Sequence, residues 1–146
     1  MKVAAILKGK VPGIMSVRPD ESIATFAHRM RMARVGAMIV TGKKGELVGI
    51  ISERDVVYGI AEHGAQALSM TVGDLMTRSV ITITPEDSIA RVAHIMTERR
   101  VRHLPVMDKR ELVGMVSLGD VVKHRLEEMS LEANVLRDIA AAGPGM

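Results

Sequence analysis

Two four-residue segments carry the groups best suited to chemistry in this sequence, Ser52-Glu53-Arg54-Asp55 and Ser117-Leu118-Gly119-Asp120. Each follows an apolar run of strand character and opens a helical pattern. The serine hydroxyl, the first free backbone N–H groups and the positive end of the helix dipole therefore face one way, which is the chemistry of an anion site. A serine there can donate to a phosphate, and an aspartate one turn on can accept two hydrogen bonds from neighbouring sugar hydroxyls. The same spacing is also a capping box, in which serine and acid hold nothing but the helix start. The second segment has something more: Arg102-His103 on the facing strand ahead of Leu104-Pro105, where an arginine suits a phosphate fork. The first copy has Gly36-Ala37 at those positions. On this reading the two clefts are chemically unequal, and the one containing Asp120 is the better equipped.

Other chemistry is poorly provided for. Ser52 and Ser117 have no nearby motif histidine with an orienting acid, and there is no Gly-x-Ser-x-Gly elbow and no paired histidine spacing. The expectation is a protein that is not an enzyme and has no metal site. His28 and His94 recur at equivalent helical positions and read as helix residues packed at the module surface. The absence of cysteine excludes disulfides and thiol chemistry and fits a reducing, cytoplasmic setting. The apolar run from Val3 to Leu7 is too short for a membrane span. A formal charge of +3, with acids spread among the bases, is weak support for an anionic partner. One Phe, one Tyr and no Trp leave almost no stacking platform, which counts against single-stranded nucleic acid. Twelve methionines supply adaptable core filling in place of aromatics.

The elements that must position the two segments are written twice. Pro19, Ser22, Ile23, Ala24, Ala27, His28, Met30, Val35 and Val40 return as Pro85, Ser88, Ile89, Ala90, Ala93, His94, Met96, Val101 and Val106, each 66 positions later. After a one-residue deletion in a turn, Ser52, Asp55, Val56 and Val57 return as Ser117, Asp120, Val121 and Val122. Two copies suit a closed pair better than an extended array, which needs about three or more repeats. Matching residues then converge on two equivalent clefts.

In the second copy, Val80 to Thr84 reads as a short strand ended by Pro85. A helix begins at Thr84 or Pro85, with Glu86 and Asp87 in its first turn and an apolar stripe of Ile89, Val92, Ala93 and Met96, and ends near Arg99. Val101 to Met107 and Leu112 to Ser117 flank the polar turn Asp108-Lys109-Arg110-Glu111 and read as a hairpin. Ser117 caps a closing helix. The first copy repeats the order, with Gly42-Lys43-Lys44-Gly45 as its turn, and a short helix precedes each copy at Val3–Leu7 and Val72–Met76. The chain divides as residues 1–62, 63–125 and a helical extension over 126–146. Along that extension Val122, Leu126, Met129, Ala133, Leu136 and Ala140 alternate at spacings of four and three, a heptad-like seam about 27 Å long that suits a homodimer contact or a fold-back onto its own module.

The chain resembles a tandem cystathionine β-synthase (CBS) domain pair, the Bateman module, as a stand-alone protein. The resemblance rests on the strand followed by Pro19 or Pro85, on Val101-Arg102-His103-Leu104-Pro105-Val106, on Leu47-Val48-Gly49-Ile50-Ile51-Ser52-Glu53-Arg54-Asp55 and on Leu112-Val113-Gly114-Met115-Val116-Ser117-Leu118-Gly119-Asp120. It implies an α+β fold of two β-α-β-β-α units packed about a pseudo-twofold axis, with adenosine ligands such as AMP, ATP or NAD in the clefts. By the resemblance Asp55 and Asp120 hold ribose, Ser52 and Ser117 touch phosphate, and Arg102 and His103 match a phosphate-contacting basic pair. Arg54, Met115, Leu118 and Gly119 belong to the same motifs. The adenine would lie against strand backbone near Thr84 or Arg18, with Val35 and Ala37, or Val101 and His103, closing the wall from the other copy. The activity implied is sensing, passed on to an unknown downstream protein. A ligand-free assembly module, or a binder of S-adenosylmethionine or single-stranded nucleic acid, is the rival reading.

Overall fold

The computed structural model describes residues 1–10 and 13–142. The N-terminal helix α1 (Val3–Lys8) is followed by strand β1 (Ser16–Val17), helix α2 (Ile23–Ala33), the hairpin β2 (Ala37–Thr41) and β3 (Leu47–Ser52), and helix α3 (Glu53–His63). A 3₁₀ helix (Gly64–Ser69) and the single-turn α4 (Val72–Leu75) connect to α5 (Ile89–Arg99), the hairpin β4 (His103–Asp108) and β5 (Glu111–Ser117), and the long α6 (Leu118–Ala142). The class is α+β, in two repeats of the expected order.

β1 pairs parallel with β2 and β2 antiparallel with β3. The second repeat keeps the antiparallel hairpin, paired from His103↔Ser117 to Asp108↔Glu111 with a register shift between Val106 and Met107. Its expected first strand is cut to a single rung at Ile83, whose N–H donates to Pro105 O at 3.0 Å while Met107 N–H donates to Ile83 O at 2.8 Å. The cause is Pro105. The next rung of a parallel ladder would need its N–H, which proline lacks; the first repeat has Ile39 there, and β1 extends across Ser16 and Val17.

The second helix also starts later than Thr84 or Pro85. Asp87 turns its carboxylate back onto Thr84 N–H (2.8 Å), closing a turn over Pro85 and Glu86, and Ser88 then caps the helix by accepting Arg91 N–H at 3.0 Å. Local Asp bonding of this kind competes with helix entry.

Each repeat borrows from the other to close its core. Val3 and Ile6 of α1 are buried with Ile83, Ile89, Val92, Met96, Leu104, Val106, Val116 and Val121 of the second repeat. Val72 of α4 is buried with Val17, Ile23, Phe26, Met38, Val40 and Ile51 of the first. Backbone bonds seal the exchange reciprocally: Ile89 N–H donates to Met1 O (3.0 Å) and Ile23 N–H to Met70 O (2.8 Å), as a pseudo-twofold arrangement requires. The 64–77 segment also lies along β3, where Ile50 and Thr77 exchange backbone hydrogen bonds at 3.0 and 2.8 Å. Gly49 permits that approach, since a Cβ there would meet Met76 Sδ at 2.8 Å and Thr77 O at 2.9 Å.

α6 packs through Val121, His124, Arg125 and Glu128. Val122, Leu126, Met129 and Leu136 lie on the adjoining face, about 100° around the helix, and are exposed to 49, 58, 57 and 67 %. No helix among the described residues is long and apolar enough to cross a membrane.

Candidate functional site

Both Ser-x-x-Asp segments form the strand-to-helix corners expected of them. At the first, β3 ends at Ser52 and α3 begins at Glu53; Asp55 Oδ2 accepts Ser52 N–H at 2.8 Å and Ser52 Oγ at 3.2 Å. At the second, Asp120 Oδ2 accepts Ser117 N–H at 2.9 Å and Ser117 Oγ accepts Asp120 N–H at 3.1 Å. Each corner is tied to the start of its own hairpin: Glu53 N–H donates to Gly36 O (3.0 Å) and Leu118 N–H to Arg102 O (2.8 Å). The same backbone thus carries two aspartates to equivalent addresses.

What surrounds them is not equivalent. The Asp55 corner opens into a cavity of about 220 Å³. Ala37, Ile50, Ser52, Glu53 and Arg54 line it from the first repeat, and Val101, Arg102 and His103 close it from the second. Thr77 borders it as well and donates through Oγ1 to Asp55 Oδ1 at 3.1 Å. Arg100 borders it beside Arg54 and Arg102, its carbonyl accepting from Arg54 Nη1 at 3.4 Å. The cavity therefore gathers two carboxylates, Asp55 and Glu53, and three arginines in one lining. Burial, and after it the ammonium of Lys10, holds the His103 imidazole below its ordinary pKa, so this ring is a neutral donor or acceptor near pH 7.

At the second corner, a broad open groove is lined by Arg102, His103, Ser117, Leu118, Gly119, Val122, Lys123 and Leu126. Lys10 Nζ sits 2.7 Å from Asp120 Oδ2 and 2.6 Å from Met115 O. Burial alone would raise the Asp120 pKa; the Lys10 ammonium and the Ser117 N–H outweigh it and hold the carboxyl below its ordinary value.

Several expectations are altered by this geometry. Arg102 and His103 do not serve the Asp120 cleft alone; they also wall the Asp55 cavity, which is the more enclosed of the two. Val101 and Ala37 line that cavity, whereas Val35 lines neither. Thr84 is exposed, with its N–H bound to Asp87, and Arg18 donates through Nη1 to Gly42 O; neither borders either cleft. Sequence reasoning missed Thr77, Arg100 and Lys10. Arg100 had a signal, since it repeats Arg34 after 66 residues at the end of a helix. Thr77 and Lys10 carry no motif and enter only through tertiary packing. Among the described residues no three His, Asp or Glu side chains gather as a metal site would require.

Comparison with known proteins gives a consistent picture. The family model described as "CBS domain" matches residues 9–62 and again 72–127. A CBS domain-containing protein of Arabidopsis thaliana, described as mitochondrial, is 38% identical over 125 residues, covering 80% of this chain and 61% of that protein. The chain thus spans about three fifths of that relative's length. The crystal structure of a CBS-domain-containing protein from Agrobacterium tumefaciens superposes with a TM-score of 0.83 at 36% identity, covering 86% of this chain and 99% of that one. The CBS domain pair of protein MJ0100, solved in complex with 5′-methylthioadenosine and S-adenosyl-L-methionine, superposes at 0.76 with 26% identity, covering 88% and 98%.

Proposed function

The chain belongs to the CBS-domain family, and from that premise we propose that it is a non-enzymatic regulatory module that binds a phosphorylated adenosine ligand of the AMP, ATP or NAD kind in the cleft between its repeats. One observation carries the reading: a ribose-reading carboxylate, Asp55, shares the lining of a 220 Å³ cavity with Arg54, Arg100 and Arg102. The carboxylate suits the sugar diol and the guanidiniums suit phosphate oxygens. Adenosine ligands bound to the MJ0100 domain pair support the class of ligand. The cationic wall favours a phosphorylated member over the sulfonium of S-adenosylmethionine. Ligand binding at a wall made by both repeats would bias how they pack, which is how such a module shifts a population of states. The output passes to a downstream protein, in a setting the cysteine-free sequence suits as cytoplasmic.

The seam on α6 is read as a homodimer contact, supported by the exposure of Val122, Leu126, Met129 and Leu136 along one stripe of the helix. Calorimetry and thermal shift against AMP, ATP, NAD and S-adenosylmethionine test the reading, with the mass of the same sample taken by light scattering. AMP or ATP is expected to raise the melting temperature of the parent and not of Asp55→Ala, in a particle of twice the chain mass. No adenosine ligand binding at millimolar concentration would sink the nucleotide reading, and a monomer mass the dimer.

A further inference from the structure

We infer that Lys10 is an internal occupant of the second cleft and restricts the module to one nucleotide per chain, in the Asp55 cavity; this rests on the adenosine reading above. The two corners receive their third partner from equivalent directions. At the first, the segment ahead of the second repeat delivers Thr77, whose hydroxyl donates to Asp55 (3.1 Å) and whose N–H donates to Ile50 O (2.8 Å). At the second, the segment ahead of the first repeat delivers Lys10, whose ammonium donates to Asp120 (2.7 Å) and to the strand carbonyl of Met115 (2.6 Å), the counterpart of Ile50.

The acceptors match and the donors differ in charge. A hydroxyl leaves Asp55 its negative charge; with Ser52 N–H, Ser52 Oγ and Thr77 Oγ1 donating to it, an acceptor site stays open for a ribose hydroxyl. An ammonium neutralises Asp120 on the oxygen that also takes the Ser117 N–H. Both side chains of the Lys10–Asp120 pair are partly sheltered, at 37 and 25 % exposure, so water screens the contact less than it would on an open surface. A sugar diol entering this cleft must displace an ion already in place, whereas at Asp55 it need displace only the neutral Thr77 hydroxyl. The basic pair that would bind its phosphates also stands on the Asp55 wall.

Titration calorimetry of the full chain with AMP and with ATP tests this. The parent is expected to bind one nucleotide per chain, Asp55→Ala to lose it, and Asp120→Ala to keep it within about twofold. Lys10→Met, which retains the apolar stem and removes the charge, is expected to bind two, the second site tightening by about tenfold, or about 1.4 kcal/mol. Asp55→Ala combined with Lys10→Met then retains one. Lys10→Gln serves as the second variant should Lys10→Met lower the melting temperature.

Two sites of similar affinity in the parent overturn the inference, as does a single site lost in Asp120→Ala. A Lys10→Met protein that still binds one nucleotide, or binds more weakly because Lys10 helps hold phosphate, overturns it too. In each of these cases the adenosine reading survives. Absence of binding in the parent and in both Lys10 variants overturns both.

Discussion

The two repeats share a backbone and differ in what they use it for. The first buries Phe26, the chain's one phenylalanine, on α2, where the second has Val92 on α5. The first leaves its cleft aspartate beside a threonine hydroxyl, and the second covers its own with an ammonium. Duplication supplied two addresses, and a few side chains made one of them an enclosed cavity and the other an open groove whose aspartate is paired with Lys10. The lesson is that a repeated motif fixes where a site lies, while its partners from distant segments fix whether the site is open.

The largest effect expected from breaking that comparison is in the cores. Phe26 is fully buried among Val17, Ile23, Met38, Val40, Ile51 and Val72. Phe26→Ala removes the whole phenyl ring from a close-packed cluster and should cost about 3–5 kcal/mol. Val92 is equally buried, but Val92→Ala removes only two methyl groups and should cost about 2 kcal/mol. Urea unfolding of the two variants measures both. Equal losses would mean that the first repeat collapses onto the gap, and that Phe26 does not set the difference between the cores.

A smaller effect separates the corners by pH. The folded Asp120 carboxyl is held below its ordinary value of about 3.9. The unfolded chain therefore takes up this proton first as pH falls. The stability from the Lys10 contact is present above about pH 4 and is lost as pH drops through the lower folded value. His103 acts in the same direction at higher pH. Its folded pKa lies below the ordinary 6.5, with Lys10, Arg102, Glu53 and Asp120 as its charged neighbours. Stability thus falls as pH drops below about 6.5 and the unfolded chain gains the proton first. Melting temperatures from pH 7 to pH 3 should show both slopes in the parent. Asp120→Asn should flatten the acidic limb and His103→Gln the limb near neutrality. An unchanged acidic limb in Asp120→Asn would show that the Lys10 contact contributes nothing to stability.

The duplication, the hairpins and the two Ser-x-x-Asp corners were legible in the residues because each is a local pattern: alternation around a polar turn, or an acid three places after a cap. The first strand of the second repeat was misread because its hydrogen bonds depend on a residue more than twenty positions away, Pro105, which withholds one. The start of α5 was misread for a local reason. Asp87 closes a turn on Thr84, and the repeated Ser22 and Ser88, each accepting the N–H three residues on, were the truer signal. The exchange of α1 and α4 between cores could not be read, since Val3 and Val72 look like any short apolar helix until their partners are known. Lys10 and Thr77 belong to that same exchange, which is why the inequality of the clefts lay beyond sequence reasoning even though the cleft aspartates did not.

The finest separation between the repeats lies at the two helix ends that lead into the walls. Arg34 and Arg100 both adopt left-handed backbone, at φ 57 and 55°, as α2 and α5 stop. The next residues close the turn in the same way, Val35 N–H onto Met30 O and Val101 N–H onto Met96 O, each at 3.2 Å. Glycine is the residue this position prefers, because a side chain costs about 1–2 kcal/mol in the left-handed region. Glycine also frees the unfolded chain by about 0.4–1 kcal/mol, so at the middle of both ranges each substitution should stabilise by about 0.8 kcal/mol. The melting temperature should then rise by no more than about 2–4 °C. Arg34→Gly and Arg100→Gly should match in that respect because their backbones match. They should part in ligand affinity, since Arg100 borders the Asp55 cavity and Arg34 does not. If AMP binding weakens in Arg100→Gly alone, the arginine is retained at a strained cap for its charge. If both variants bind as the parent does, the left-handed arginines are a legacy of the duplication and the cavity draws its phosphate selectivity from Arg54 and Arg102.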